Sequence, residues 1–150
     1  MAPPPLLTLQ GTTLTLGGKP LLDGADLSVA PGARICLVGR NGSGKSTLLK
    51  IAAGEIEADG GVRFLQPGAS LRYLPQEPDF SGFATTTAYV EAGLGPLDDP
   101  HVARAMLLEL GMTGDEDPAH LSGGEARRAA LARVLAPGGR SFKPSALDRR

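Results

Sequence analysis

The sequence holds a single cysteine, Cys36, so no disulfide can form within the chain, and nothing in it points to an oxidising compartment. Cys36 sits in an apolar run and is expected as a small buried hydrophobe. No apolar run approaches the ~20 residues that cross a bilayer, so no membrane insertion is expected. The opening Met1-Ala2-Pro3-Pro4-Pro5 lacks the basic start and apolar core of a signal peptide, which makes the cytoplasm the expected compartment. A formal net charge of −1 provides no global basic field for nucleic acid. The one asparagine, Asn41, excludes the Asn-Lys-x-Asp string with which GTPases read guanine. There is no internal repeat of useful length. At 150 residues the chain has the length of one domain with a sizeable core.

Short strands are expected at Leu6–Thr8 and Thr12–Leu16, broken at Gly11, with a turn at Gly17-Gly18-Lys19-Pro20. Ala25-Asp26-Leu27-Ser28-Val29 alternates as a half-buried strand does. After the Pro31-Gly32 turn, Arg34 to Val38 is expected as a sheet strand. Val62–Leu65 and Leu71–Leu74 are expected as strands of an antiparallel layer. Helices are expected from Ser46 to near Gly54, over Thr85–Ala92, over His101–Leu110 and from Gly123 through Ala136. Residues 137–150 change character, with four basic residues against one acidic and two prolines, and are expected as a loose tail outside a domain of residues 1–136.

The chemistry concentrates in Gly39-Arg40-Asn41-Gly42-Ser43-Gly44-Lys45-Ser46-Thr47, which fits G-x-x-x-x-G-K-[ST]. Glycines without Cβ let backbone N–H groups approach phosphate oxygens, and the helix that follows adds unpaired N–H groups and a partial positive charge. Lys45 can neutralise β- and γ-phosphates, and the Ser46 hydroxyl can ligand Mg²⁺. The plainer alternative is a Gly-rich strand-to-helix turn carrying a surface lysine. A second candidate, Leu121-Ser122-Gly123-Gly124-Glu125, opens the last helix and offers a hydroxyl and sparsely covered N–H groups. Its plainer alternative is an ordinary N-capped helix.

Together these strings resemble the ATP-binding cassette (ABC) ATPases. Gly39 to Thr47 is similar to the Walker A motif, Gln76 in Leu74-Pro75-Gln76-Glu77-Pro78 to the Q-loop, and Leu121 to Glu125 to the LSGGE signature. The resemblance covers about residues 6 to 136. The run from Arg34 to Gly42, the string around Gln76 and the run from Gly123 to Arg133 look most like the N-terminal cassette of the ABC-F branch, which carries two cassettes on one chain and works on ribosomes or nucleic acid. The resemblance implies an α/β P-loop NTPase fold of ABC type, here with an incomplete core sheet, an antiparallel β-layer and a short helical region. It implies ATP and Mg²⁺ as cofactors. It also implies Lys45 on β/γ-phosphate, Ser46 and Gln76 at the metal, and Thr47 on a phosphate oxygen. Ser122, Gly123 and Gly124 would face the γ-phosphate held by a second, head-to-tail cassette.

The departures also bear on function. The aromatic residue that stacks on adenine in the family is matched here by Leu16, which packs on a base without the stacking term. No apolar strand ending in Asp-Glu, the Walker B pair, follows Ala136; Asp98-Asp99 precedes the signature and lacks the strand. Ser145-Ala146-Leu147-Asp148 resembles the family's D-loop only faintly, and His101 and His120 are expected as solvent-facing residues. No catalytic residue is therefore assigned. The resemblance implies hydrolysis of ATP to ADP and phosphate as the family activity, with this chain alone deficient in it. Two other readings are a nucleotide-regulated half-cassette that pairs with an intact one, and a fragment of the ATPase subunit of a transporter.

Overall fold

The structure, a computed structural model, describes residues 1 and 3–138. The chain forms two compact units that divide between Tyr73 and Leu74.

In the first unit, β1 (Leu7–Leu16) and β2 (Lys19–Val29) form an antiparallel hairpin. The two-residue link Gly17-Gly18 has φ of 57° and 77°, the left-handed pair that matches strand twist in a tight hairpin. The break expected at Gly11 is a bulge inside one continuous strand. Leu7 and Leu9 are buried, then Thr12 and Leu14, so the inward face shifts by one residue across Gln10-Gly11. The register slips at the same place, and the Gly11 N–H leaves the ladder to donate to Asp26 Oδ1 at 2.7 Å. Without the bulge Leu14 would point to solvent.

β3 (Gly60–Leu65) pairs antiparallel with β1, giving the order β2-β1-β3. α1 (Lys45–Ala53) lies against this layer. Its core contacts are Leu7, Leu9, Leu14 and Leu22 from the strands with Ile51 and Ala52 from the helix. Gly54, at φ 83°, ends α1 with its N–H on Ile51 O, as a left-handed C-cap does.

Two expected strands are absent. Arg34–Val38 and Leu71–Leu74 have no strand pairing. A strand of this type is stabilised by ladder bonds on both sides, and among the described residues no neighbour supplies them. The apolar side chains are accordingly uncovered: Ile35 is 49% exposed and Val38 90%. Cys36, expected as buried, is exposed for the same reason. Beneath the segment lies an apolar hollow of about 280 Å³ whose lining includes Leu7, Leu27, Ile35, Leu37, Leu49 and Leu71.

The second unit is helical. α2 (Thr86–Glu91), α3 (His101–Glu109) and α4 (Gly123–Leu135) pack around Tyr89, Val90, Met106, Leu107 and Met112. α4 and its C-cap present Ala129, Ala132 and Ala136, small residues on one stripe that let the helices approach closely. Phe80 and Phe83 pack on the Tyr89 ring, at 4.5 and 5.4 Å between centroids. The Arg133 guanidinium lies 4.6 Å from that ring's centre and donates to Tyr89 O at 3.0 Å. Of the tail expected at residues 137–150, all but Pro137 and Gly138 lie outside the described residues.

The uncovered apolar set gives a direct expectation. Ile35, Val38 and Leu49 together favour self-association of the isolated chain. Light scattering should show average mass rising with concentration, less steeply for Val38→Ser. A constant monomer mass for the wild-type chain over the accessible range would sink this expectation.

Candidate functional site

The phosphate-loop candidate belongs to the first unit. Gly44, at φ 91°, takes the left-handed conformation that precedes α1, and Gly42 has φ 78°. Gly44 is also pressed against β2: a Cβ there would lie 3.1 Å from Leu22 Cδ2 and 3.2 Å from Leu21 Cγ. At Gly39 a Cβ would come within 2.8 Å of Ser43 Oγ. A side chain is thus strained at Gly44, whereas at Gly39 it would require Ser43 to turn aside.

Lys45 is the first residue of α1, and its ammonium turns back over the loop. Nζ donates to Gly39 O and Arg40 O, each at 2.7 Å, with a longer contact of 3.4 Å to Ser43 Oγ. An ammonium has three donors, and two are used well here, so the third can be offered to an added acceptor. The Ser43 N–H closes the turn on Arg40 O at 3.2 Å, and the first helical bond runs from Leu48 N to Gly44 O at 2.8 Å. The N–H groups of the first turn have no partner within the helix, which suits an anion. Ser46 is exposed and Thr47 half-buried on that turn. Glycines held bare by contact and a lysine poised over the loop fit a polyphosphate with its metal. Leu16, at the base-stacking position of the resemblance, is 56% exposed.

The other candidates belong to the second unit. Ser122 is the N-cap of α4. Its Oγ accepts from Glu125 N at 3.3 Å, and Glu125 Oε2 accepts from Ser122 N at 2.8 Å. This reciprocal pair is a capping box, so the plainer alternative and the motif coincide at the same atoms. The bond from the Ser122 N–H, then that from its hydroxyl, hold the Glu125 carboxyl below its usual value. Gly123 and Gly124 are exposed, with open space where a Cβ would be. Gln76 is exposed on a bend and lines a cleft of about 360 Å³ together with Leu74, Arg127 and Leu131. His101 and His120 face solvent as expected, and His120 Nδ1 lies 2.9 Å from Asp117 Oδ2.

Two residues not singled out from the sequence organise these elements. Glu116 is one. Its Oε2 accepts from the Thr86 hydroxyl at 2.7 Å and from Gly114 N at 2.9 Å, and its Oε1 from Thr113 N at 2.6 Å. This knot ties the turn before the signature to the start of α2. Burial opposes ionisation of Glu116, but the Thr86 hydroxyl and the Thr113 N–H outweigh it and hold the carboxyl at about 2. The second is Arg63 on β3, whose Nε donates to Ala52 O, at the end of α1, at 2.9 Å. Neither was legible, because Thr86 lies 30 positions from its partner and Ala52 lies 11 positions from its own.

Residues 22–140 match the family model described as "ABC transporter". The chain belongs to the ABC transporter family. Among ABC proteins it is 52% identical over 133 residues to the ATP-binding protein Uup of Caulobacter vibrioides, covering 88% of this chain and 21% of that protein. It is 41% identical over 132 residues to the aliphatic sulfonates import ATP-binding protein SsuB of Frankia casuarinae, covering 86% of this chain and 43% of that one. The chain therefore spans about a fifth and under half of these ABC relatives' lengths. In structure it resembles a bacterial Atm1-family ABC exporter with ATP bound, at a TM-score of 0.74 and 22% identity, over 91% of this chain and 28% of that one. It also resembles the ATP binding subunit of an ABC transporter, at a TM-score of 0.73 and 21% identity, over 87% and 62%. These likenesses show the fold: an incomplete ABC cassette whose antiparallel β-layer and helical unit are present. No helix among the described residues of this ABC chain is long and apolar enough to cross a membrane.

The Glu116 knot has a pH signature. Its folded value of about 2 lies below the ordinary 4.5, so its contribution is complete above pH 4.5 and is lost as pH falls towards 2. Glu116→Gln removes the charge and turns an amide donor towards other donors. It should cost roughly 1–3 kcal/mol at neutral pH. Denaturant melts at stepped pH should show that difference shrinking with acid; a gap independent of pH would count against the knot. Gly44→Ala, strained by its φ and crowded by Leu21 and Leu22, should lose about 1–3 kcal/mol in the same assay.

Proposed function

We propose that residues 1–136 form the ATP-binding part of an ABC-F-like ATPase, with residues 137–150 outside it. The observation that carries this is the Lys45 ammonium, held over glycines 39 to 44 at the start of α1. The 52% identity to Uup supports the ABC-F branch. In this reading Gly39, Arg40, Asn41, Gly42, Ser43 and Gly44 wrap the phosphates with backbone N–H groups. Lys45 neutralises β/γ-oxygens, Thr47 donates to a phosphate oxygen, and Ser46 would hold Mg²⁺, with Gln76 given a metal role by the family resemblance alone. Mg²⁺ held there would supply positive charge against the phosphate oxygens. Ser122, Gly123, Gly124 and Glu125 present a helix start to the nucleotide of a second cassette, so the partner is another ABC cassette in head-to-tail pairing. The branch also brings a ribosome or nucleic-acid target and a cytoplasmic location.

Hydrolysis by this chain alone stays near background. Binding ground state and transition state equally does not accelerate chemistry. Acceleration needs a carboxylate on the metal and a group that positions water. The similarity to SsuB favours a second reading, the ATPase part of an importer. A nucleotide-regulated half-cassette is a third, distinguished by ATP-driven association with an intact cassette.

Two measurements test the leading reading. Lys45→Ala should weaken Mg-ATP binding by about 1.5–3 kcal/mol in calorimetry, the scale of charge-assisted hydrogen bonds. Equal affinities for the two proteins would overturn the phosphate-loop assignment. Phosphate release by the purified chain should match that of Lys45→Ala; robust release abolished by that substitution would show that a water-positioning group exists in this chain.

A further inference from the structure

We propose that Arg63 is a positioning residue for nucleotide binding, acting through α1 and without touching the ligand. The inference rests on the phosphate-loop reading. α1 is a strut of nine residues: its first turn carries Lys45 and Ser46, and its last turn ends at Ala53. What happens at the far end sets where the first turn points.

That end is built in an unusual way. Gly54 and Glu55 return their N–H groups to Ile51 O and Lys50 O, at 3.0 and 2.9 Å. Ala52 O lies beyond the reach of those two bonds and is taken by a side chain from another element. Arg63 Nε reaches it at 2.9 Å from β3. The guanidinium also packs over Gly54, where a Cβ would lie 3.4 Å from Nη2, so the glycine leaves room for it. A cation at the carbonyl end of a helix is favoured by the helix dipole, and a charge-assisted bond is stronger than a neutral one.

Arg63 is itself well anchored. It pairs across the sheet with Leu9, which is 1% exposed and packs in the same cluster as Ile51 and Ala52. The tether therefore runs from β3, the outer strand paired with β1, to the last turn of the helix. α1 is also held at its start by Gly44 against Leu21 and Leu22, and along its inner face by Ile51 and Ala52 in the strand core. Apolar packing is non-directional, and the Arg63 bond adds a directional hold at the last turn. Ala52 lies seven residues from Lys45, about 10 Å along the axis, so Arg63 cannot reach phosphate and works only through the helix.

The test is calorimetry of Mg-ATP binding to the full chain, with wild type, Lys45→Ala, Arg63→Met and Arg63→Lys. Methionine keeps much of the apolar stem and removes donor and charge; lysine keeps a cation that can reach the same carbonyl. Kd should rise roughly three- to tenfold for Arg63→Met, with Arg63→Lys recovering most of the loss. A merely structural role would lower the number of competent sites and leave the Kd of the folded fraction unchanged, and calorimetry separates the two. Unchanged Kd for Arg63→Met, or a Kd for Arg63→Lys equal to that of Arg63→Met, overturns the proposal while the site reading stands. Absence of binding by the wild-type chain, or equal binding by Lys45→Ala, overturns the site reading and this proposal with it.

Discussion

The close approach of Gly44 to Leu21 and Leu22 is the contact on which the first unit depends. A backbone that cradles an anion must be bare, yet bare loops are floppy and hold no fixed shape. Here the conflict is settled by packing: the left-handed Gly44 is wedged against β2, and Lys45 draws the Gly39 and Arg40 carbonyls inward. The β2-β1-β3 layer thus acts as the anvil for the loop. Its bulge at Gly11 matters for the same reason, since it returns Leu14 to the face on which α1 rests.

The second unit solves a different problem. Its large apolar side chains come mainly from α2, α3 and the loops, with alanines forming much of the α4 contact. Specific polar knots add to this core. Glu116 gathers donors from Thr86, Thr113 and Gly114, Arg133 lies on the Tyr89 ring, and Arg128 Nη1 reaches Leu110 O at 3.2 Å. Each ties a turn or helix end that burial alone would leave loose. Carboxylates and guanidinium groups near the signature are in this way largely structural.

The elements legible in the sequence were those set by local chemistry. Gly54 ends α1 and Gly17-Gly18 turns the hairpin because positive φ is cheap only there. Ser122, one of the two kinds of cap expected, caps α4, and the helical spacing in His101–Leu110 gave α3 to within a residue; the reciprocal bond to Glu125 came only with the structure. The Gly-rich turn into α1 was readable because Gly44 and the helix start after it are local features. The failures were non-local. Arg34–Val38 has every feature of a buried strand, yet strandness there depends on neighbours that the described residues do not supply. Cys36 went wrong with it. The Gly11 bulge looked like a gap, since composition cannot separate one slipped residue from an interruption. Glu116 and Arg63 were invisible because each is defined by a partner on another element.

The capping box at the head of α4 has a consequence for hydrogen-bond polarity. Ser122 Oγ uses a lone pair, accepting from Glu125 N. Its own hydroxyl proton is turned towards the Glu125 carboxylate, whose proton affinity the Ser122 N–H and then that bond lower, yet a serine O–H can rotate about Cβ–Oγ to follow an approaching acceptor. The same atom can therefore close the helix with one side and donate outward with the other. Glu125, in contrast, turns a carboxylate oxygen onto Ser122 N, so its negative charge is partly spent on the backbone at the spot where an incoming anion would meet it. Substituting glutamine for Glu125 would keep the acceptor and relieve that repulsion, whereas alanine at Ser122 would remove fastening and donor together.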